Sequence, residues 1–303
     1  MPRATRGVGA ACESSPHPMD RTYALLDCNA LNYLVRPPAG MRLQPRIAVP
    51  ELLRHVRGGT LRVLATPYVL SQVSATIQKD ATKTSAMLGL LRDLSDGLVL
   101  MDRPERITLE RTAARRLETA DVLCPWRHAE QLWTGIDDRL AWDAEVHDTL
   151  RQERATGERS AEWFHKTMVS VRAKLGGKGS ATAKTWAWYE RTPHLVDDWC
   201  RDFTRRSTWG KALARDGRGW PDPADVPSMW NYVAYHLSYI VLVNTRTIQP
   251  NAGDRGDVAL YSEAAYADVL VTHDTDMRRI IANIRGTKAR VKSIQQFVRD
   301  LGR

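Results

Sequence analysis

The chain lacks three features that would define its class at once: a disulfide framework, a membrane-spanning stretch and a secretory signal. Its longest apolar run, residues 233–243, is shorter than the roughly 20 residues that a membrane span requires, and it predicts a buried helix. Residues 1–20 contain no apolar core, so we interpret them as a disordered leader. Four cysteines lie far apart without a CxxC pair, which favours reduced thiols in a cytoplasmic protein: Cys12, Cys28, Cys124 and Cys200.

Acidic residues are in the minority. The 303 residues include 44 Lys and Arg against 35 Asp and Glu, giving a net charge of +9, and a hydrophobic content of 43% is that of an ordinary globular protein. Residues 151–218 hold 15 basic and 8 acidic side chains, and all ten tryptophans lie between Trp126 and Trp230. We expect most of these tryptophans to pack in a core. The basic excess favours a polyanionic partner.

Short apolar runs alternate with helical patterns at both ends of the chain. Buried strands are predicted at residues 23–27, 61–65, 97–101 and 269–272, and an edge strand at 290–293, with amphipathic helices between them. This alternation predicts an α/β fold, a Rossmann-like parallel sheet flanked by helices.

The middle of the chain has a different pattern. Between residues 104 and 244 we predict no strand, only amphipathic helices interrupted by clusters of glycine and proline. The simplest organisation is a leader at 1–20, one α/β domain built from residues 21–103 and 245–303, and a large all-helical, basic, Trp-rich insertion at 104–244.

Acidic side chains stand near the ends of the predicted strands. Asp27 ends the first strand, Asp274 and Asp276 follow the fourth, and Asp257 begins the helix that leads into the fourth. Functional groups collect beyond the carboxyl ends of parallel strands, so we expect these carboxylates to meet on one rim. Gathering like charges costs free energy, and Mg²⁺ held by carboxylates is a usual compensation in phosphodiester chemistry.

Each of these residues also has a purely structural interpretation. Asp27 could cap the helix that follows it, since Asp is a preferred N-cap residue. Asp257 could cap its own helix, with Asp254 as the ligand in its place. Asp274 and Asp276 could form an ordinary turn.

Two stretches of the chain resemble the PIN-domain nucleases. Residues 25–29, Leu-Leu-Asp-Cys-Asn, followed by an apolar helix, are similar to the family's opening signature of an apolar strand that ends in Asp. Asp257 at the head of a helix, then an apolar strand, then Thr272-His-Asp274, is similar to the family's closing signature. The resemblance covers under half of the chain.

The resemblance implies a PIN-like fold and metal-dependent cleavage of RNA. Four carboxylates would hold Mg²⁺ or Mn²⁺, the first three of them as the catalytic residues: Asp27, Asp257, Asp274 and Asp276. Asn29 would steady the first carboxylate by hydrogen bonding, and Thr272 would do the same near the third. His273 is interpreted as a supporting or solvent-facing residue.

One position departs from the family's pattern. Gln72 stands five residues after Pro67, where the family usually has Glu. An amide oxygen can ligate Mg²⁺ or hold a water, but it contributes no negative charge. Glu51 is a candidate substitute for the absent carboxylate.

The favoured function is therefore that of a metal-dependent endoribonuclease of PIN type, which hydrolyses phosphodiester bonds in single-stranded RNA as a toxin or an RNA-processing factor. The alternative, motivated by Gln72, is a catalytically weak or inactive PIN-like nucleic-acid-binding module. A phosphatase of haloacid-dehalogenase type is disfavoured because Asn29 stands where that chemistry needs a second Asp. The candidate partners are RNA, an antitoxin or other inhibitory protein, and a second copy in a homodimer; no membrane partner is expected.

Overall fold

The computed structural model describes most of both ends of the chain and a small part of its middle. The described residues are 21–74, 79–101, 103–113, 116–125, 194–206, 222–245, 247–250, 254–284 and 290–302, together with residues 162, 166 and 191. The predicted leader and most of the predicted insertion lie outside the described residues.

The core of the fold is a parallel four-stranded sheet. The strands of the described residues, numbered in chain order, are β1 (Thr22–Leu26), β2 (Leu61–Val63), β3 (Leu98–Leu100), β4 (Leu123–Pro125), β5 (Val269–Val271) and β6 (Arg290–Lys292). The sheet has the order β2-β1-β5-β6, and every pairing in it is parallel. The predicted α/β class is thereby confirmed, with β6 at the edge as expected.

Two more strands continue beyond β2. Ala65 and Val99 form an isolated parallel bridge, and the Leu100 N–H donates to the Ala65 carbonyl at 2.8 Å, so β3 lies beside the end of β2. β4 pairs antiparallel with β3. The expectation that residues 104–244 contain no strand is therefore wrong at Leu123–Pro125. Three residues ending in proline carry no periodic signal, and a tertiary partner decides their conformation.

Helices flank the sheet. They are α1 (Cys28–Val35), α2 (Pro45–Arg57), α3 (Pro67–Ser74), α4 (Ala81–Ser95), α5 (Arg103–Thr112), α6 (Leu195–Arg206), α7 (Pro227–Asn244), α8 (Asp254–Glu263), α9 (Thr275–Ala282) and α10 (Ile294–Leu301). Two helices begin earlier than their apolar pattern indicates. α2 begins at Pro45, because proline fits the first turn of a helix, and α8 begins at Asp254, so Asp257 lies inside its first turn.

The direction of the chain across the sheet reverses between β1 and β5. The chain continues from β1 to β2 and then β3 on one side, whereas β5 and β6 lie on the other side. In open parallel sheets, ligands bind beyond the carboxyl ends of the strands at such a reversal. The carboxyl ends of β1 and β5 are the place where the fold favours a site.

α7 is the long buried helix that the apolar run predicts. It packs against α8 and α9 of the α/β core, and its residues Tyr235, Leu237 and Val243 are among those that are at most 2% exposed. Among the described residues, no helix is long and apolar enough to cross a membrane.

A buried polar network joins α5 to α7. The fully buried Arg106 donates from Nε to Ser228 Oγ at 2.9 Å, and the Glu110 carboxylate accepts from the Tyr266 hydroxyl at 2.8 Å. These contacts tie the described parts of residues 104–244 to the same core as the sheet. The domain boundaries near residues 103 and 244 stay a prediction.

We predict that stability depends on the central strand. Leu25→Ala should lower the free energy of unfolding by about 2–5 kcal/mol, because Leu25 is fully buried in β1 and its loss leaves a cavity. Ile47→Ala is the matched control, since Ile47 is 65% exposed and should change stability little. Urea denaturation measures both; equal effects would contradict the described packing.

Candidate active site

Two carboxylates cap helices at the reversal of the sheet. Asp27 follows β1 and is the N-cap of α1, where its Oδ1 accepts from the Ala30 N–H at 2.5 Å. Asp274 follows β5 and is the N-cap of α9, where its Oδ1 accepts from the Met277 N–H at 2.7 Å. The capping interpretation is therefore confirmed for Asp27, and Asp274 caps a helix instead of forming a simple turn. A carboxylate offers about four lone-pair sites, so a cap does not exhaust it.

Thr272 joins the two caps. It is fully buried directly after β5, its hydroxyl oxygen accepts from the Asp274 N–H at 3.0 Å, and its side chain hydrogen-bonds the Asp27 carboxylate. Thr272 thus contacts the backbone of Asp274 and the carboxylate of Asp27, whereas no described hydrogen bond joins it to the Asp274 carboxylate.

Asp27 is 5% exposed, and its charge is only partly compensated. Burial raises the pKa of its carboxyl, and the nearby Asp274 raises it further. Hydrogen bonds from Thr272, Ala30 and His273 act in the opposite direction. A buried carboxylate whose negative charge is only partly compensated favours the binding of a cation.

Asp257 is a strongly perturbed carboxyl of the site. It lies in the first turn of α8, and burial together with the charges of neighbouring carboxylates raises its pKa to about 8. The neighbours, in order of effect, are Asp274, Asp254, Asp27 and Asp276. The predicted carboxylates are therefore brought within electrostatic reach of one another.

The two remaining aspartates have partners of their own. Asp254 is 3% exposed, and its Oδ2 accepts from the Tyr239 hydroxyl of α7 at 2.5 Å. Asp276 lies at the rim, where its Oδ1 is 3.4 Å from Arg279 Nη1. Among charged groups, Asp254 has the second-largest effect on the pKa of Asp257, after Asp274.

Gln72 and Tyr68 of α3 pack on the first turn of α8. The Gln72 amide donates from Nε2 to the Tyr68 hydroxyl. A Cβ added at Gly256 would overlap that hydroxyl, and it would lie 2.9 Å from Tyr68 Cζ and 3.5 Å from Gln72 Nε2. Gly256 precedes Asp257, so the glycine allows a phenol to approach the helix beside that strongly perturbed carboxyl.

Tyr235 adds an unsatisfied hydroxyl near the acidic side chains. Tyr235 is fully buried, and its hydroxyl has no hydrogen-bond partner among the described residues. Burial, and then the charges of Asp257, Asp254 and Asp274, raise its pKa. A bound water or ligand would satisfy this oxygen, because buried polar groups in proteins are normally hydrogen-bonded.

Three expectations about supporting residues have different outcomes. Asn29 is exposed in the first turn of α1, and no described hydrogen bond joins it to Asp27. Glu51 is paired with Arg54 on α2 and is not among the main charges acting on Asp257, so it does not replace a site carboxylate. The backbone of His273 hydrogen-bonds the Asp27 carboxylate, and its Nε2 accepts from the Ile294 N–H at 3.3 Å.

The donor chemistry of the site fits a hard divalent cation. All its candidate ligands are carboxylate oxygens, which Mg²⁺ prefers, and the strongest charges acting on Asp257 are negative. In the described part of the chain, no group of three or more His, Cys, Asp or Glu side chains is arranged so that it could hold a metal ion. Cation binding would therefore require these carboxylates to rotate towards one another.

Three tyrosines lie near the carboxylates of the candidate site and were missed by sequence reasoning. Tyr235 and Tyr239 stand four residues apart in the apolar α7, and Tyr68 comes one residue after Pro67. Phenol groups inside an apolar helix need hydrogen-bond partners, so the spacing of Tyr235 and Tyr239 is a usable signal. No local sequence pattern marks Tyr68 as a residue of the site.

Comparisons of the chain with protein-family models, curated proteins and solved structures found no match. The chemistry of the site rests on the geometry and charges of its own residues.

We predict that Asp257 makes stability fall with rising pH. Its carboxyl ionises near pH 4 in the unfolded chain but keeps its proton to about pH 8 in the fold, so unfolding becomes easier across that window. In EDTA, Asp257→Asn should raise the melting temperature at pH 8 by several degrees, with a smaller difference at pH 5. Asp96→Asn, a change just before β3 at the amino ends of the strands, should leave the dependence of melting temperature on pH as in the wild type. The same pH dependence in all three proteins would refute the raised pKa of Asp257.

We also predict that the effects of substitutions at Gly256 and Tyr68 on stability are coupled. Alanine normally stabilises a helix relative to glycine by about 0.5–1 kcal/mol, but Gly256→Ala should destabilise this protein by about 1–3 kcal/mol through overlap with Tyr68. In a Tyr68→Leu background the same change should be neutral or stabilising. Thermal denaturation of the four proteins gives the coupling, and additive effects would contradict the contact.

Proposed function

We propose that the protein is a metal-dependent endoribonuclease of PIN type that hydrolyses phosphodiester bonds in single-stranded RNA. The observation that carries this proposal is the electrostatic coupling of Asp27, Asp257 and Asp274 beside the reversal between β1 and β5. Buried carboxyls with raised pKa values, gathered at a crevice, mark a candidate functional site.

The order of the strands supports the Rossmann-like part of the proposal. A parallel sheet with its reversal between β1 and β5 directs the ends of both strands to one crevice. In the PIN-like interpretation, the first and last acidic residues of the motif follow these two strands. Asp27 and Asp274 have those positions.

The metal would be held by Asp27, Asp257 and Asp274, with Asp276 at the rim as a further ligand or partner. When bound, a divalent cation activates water and stabilises the charge that develops during phosphodiester cleavage. Asp257 holds a proton at neutral pH, and that proton has to leave its carboxyl before the oxygen can act as a ligand.

The protein's own residues fix the backbone of the site. The caps of α1 and α9 fix the backbone at Asp27 and Asp274, and the Thr272 hydroxyl bonds to both segments. The backbone is thereby fixed at both aspartates, while their carboxylates would still have to rotate towards one another to hold a cation.

RNA is proposed as the substrate from charge. The net charge of +9 and the basic excess of residues 151–218 favour a polyanion, and binding would weaken with added salt as counterions are released. Nearly all of that stretch lies outside the described residues, so its contribution is argued from the sequence alone.

A nucleic-acid-binding module without turnover is the second candidate. Gln72 favours it, because an amide supplies no negative charge to the site. The absence of a ready group of metal ligands among the described residues also favours it. This candidate predicts salt-sensitive RNA binding with no product in Mg²⁺ or Mn²⁺.

Asp27→Asn tests the nuclease proposal because it removes the negative charge of the side chain while keeping its helix cap. Asparagine caps helices as well as aspartate does, so unfolding free energy should change by less than about 1 kcal/mol. Cleavage of a labelled single-stranded RNA pool in Mg²⁺ or Mn²⁺ should fall at least about 100-fold, because a ligand carboxylate is lost.

Two controls accompany this experiment. Asp96→Asn removes a carboxylate at the amino end of β3, where asparagine tolerates the left-handed backbone, and it should cleave at the wild-type rate. EDTA should stop cleavage by the wild-type protein. Metal-dependent cutting at the same rate by wild type and Asp27→Asn would rule the proposal out, and RNA binding without any product would favour the binding module.

A further inference from the structure

The His273 ring is held just beyond the carboxyl ends of β5 and β6. Its Nε2 accepts at 3.3 Å from the N–H of Ile294, the first residue of α10. The Tyr33 ring of α1 makes a T-shaped contact with the imidazole, with ring centroids 4.7 Å apart and planes at 70°. The His273 backbone also hydrogen-bonds the Asp27 carboxylate, so this residue stands directly beside the candidate site.

The bond to Ile294 decides which ring nitrogen of His273 carries the proton. A neutral imidazole has one N–H donor and one acceptor nitrogen. Because Nε2 accepts from the Ile294 N–H, the proton lies on Nδ1. Among the described residues Nδ1 has no hydrogen-bond partner, and it is accessible to solvent. His273 thus offers a fixed and unused N–H donor at the rim of the site.

Arg278 brings a positive charge to the same rim. It lies one turn after Asp274 in α9, and its backbone N–H donates to the Asp274 carbonyl at 3.1 Å, so the two residues share a helix face. Long side chains of a helix lean towards its N-terminus, which directs the guanidinium back over the turn that follows His273. Burial lowers the pKa of the His273 imidazole, and the charge of Arg278 lowers it further, as expected of neighbouring groups.

The Arg278 guanidinium is unused, unlike that of the next residue. Arg279 Nη1 is 3.4 Å from Asp276 Oδ1 and donates to the Thr247 carbonyl at 3.2 Å. In the described part of the chain, no hydrogen bond or ion pair uses the Arg278 guanidinium, although the spacing from Asp274 favours one. A guanidinium has five donors in a planar fork that matches phosphate. Arg278 therefore has the capacity to bind an anion.

We propose that Arg278 and the Nδ1–H of His273 form a subsite that binds one phosphate of single-stranded RNA, with the Tyr33 ring holding the imidazole in place. The inference rests on the proposed function and deepens it, because it assigns residues that hold the substrate. Carboxylates repel a phosphodiester, and a guanidinium beside them offsets that repulsion. Both donors contact phosphate oxygens and read no base, so the subsite accepts any sequence.

Equilibrium binding in EDTA tests the subsite without cleavage. Arg278→Gln should weaken binding of a labelled single-stranded RNA about tenfold, because hydrogen bonds to a charged group are lost. The slope of log Kd against log salt should become shallower by about 0.7, the value for one phosphate of a single strand. Arg278→Lys keeps the charge and should retain the slope.

Arg57→Gln is the matched control. Arg57 is an exposed arginine at the end of α2, near the amino end of β2, and no described ion pair uses it. The substitution removes the same charge as Arg278→Gln at the opposite end of the strands. Its affinity for RNA and its salt dependence should equal those of the wild type.

Neutral phosphate analogues locate the contact. In a series of oligonucleotides, each carries a single methylphosphonate linkage, which lacks the negative charge of a phosphodiester. The wild type should lose affinity when the phosphate held by the subsite is replaced. Arg278→Gln should show no further loss at that one position, since the arginine and the phosphate act through the same contact.

Nitrogen NMR of the metal-free protein tests the histidine. With ¹⁵N-labelled histidine, the His273 ring resonances are assigned by their loss in His273→Gln. We expect a neutral ring with its proton on Nδ1, and the Nδ1 resonance should shift when the RNA is added. The binding and NMR measurements remain decisive if the wild-type protein cleaves no RNA, so failure of the nuclease proposal is distinguishable from failure of the subsite.

Four results would overturn the inference. The first is wild-type affinity and salt dependence for Arg278→Gln. The second is an equal loss for Arg57→Gln, which would reduce the effect to net charge. The third is a methylphosphonate series in which every loss adds fully to that of Arg278→Gln. The fourth is a His273 ring with its proton on Nε2, which would leave no donor at Nδ1.

Discussion

The parallel pairing of β1 with β5 is the constraint on which the rest of the site depends. Leu25 lies opposite Leu270, and the Asp27 N–H donates to the Val271 carbonyl at 3.0 Å, so two strands distant in sequence end side by side. Both strand ends lead into helices. The residue that caps each helix, Asp27 directly after β1 and Asp274 three residues after the end of β5, satisfies a free backbone N–H group there. The carboxylates are therefore fixed in place by the needs of the backbone before any ligand is considered.

Capping and chemistry are compatible interpretations of the same aspartates. Helix N-termini carry partial positive charge, which offsets part of the cost of burying a carboxylate such as Asp27 or Asp274. Asp257 lies in the first turn of α8, three residues after the helix begins. Repulsion from the neighbouring carboxylates adds to burial there and raises the pKa of its carboxyl. The site thus has two carboxylates that cap helices and a third that lies in a first turn without capping it, where the repulsion is largest; a cation would act chiefly on the third.

The sequence was sufficient for the sheet and for the acidic side chains, because both depend on local patterns. Buried parallel strands are short apolar runs; Asp27 follows one of them directly, and Asp274 comes three residues after the end of another. It was not sufficient for β4, a three-residue strand that exists through its pairing with β3, or for the start of α8, where Gly256 interrupts the helical pattern. The phenols around α8 come from helices α3 and α7, and only tertiary packing brings them to the site.

The close approach of Tyr68 to Gly256 has a consequence for variation among sequences. The two positions form one steric unit, since any side chain at 256 occupies the space of the phenol hydroxyl. Drift at either position is therefore constrained by the other, and a change from glycine would be accepted only after the tyrosine had been replaced. Homologues with this arrangement should vary at 68 and 256 together, which makes the pair a means of recognising them when overall identity is low.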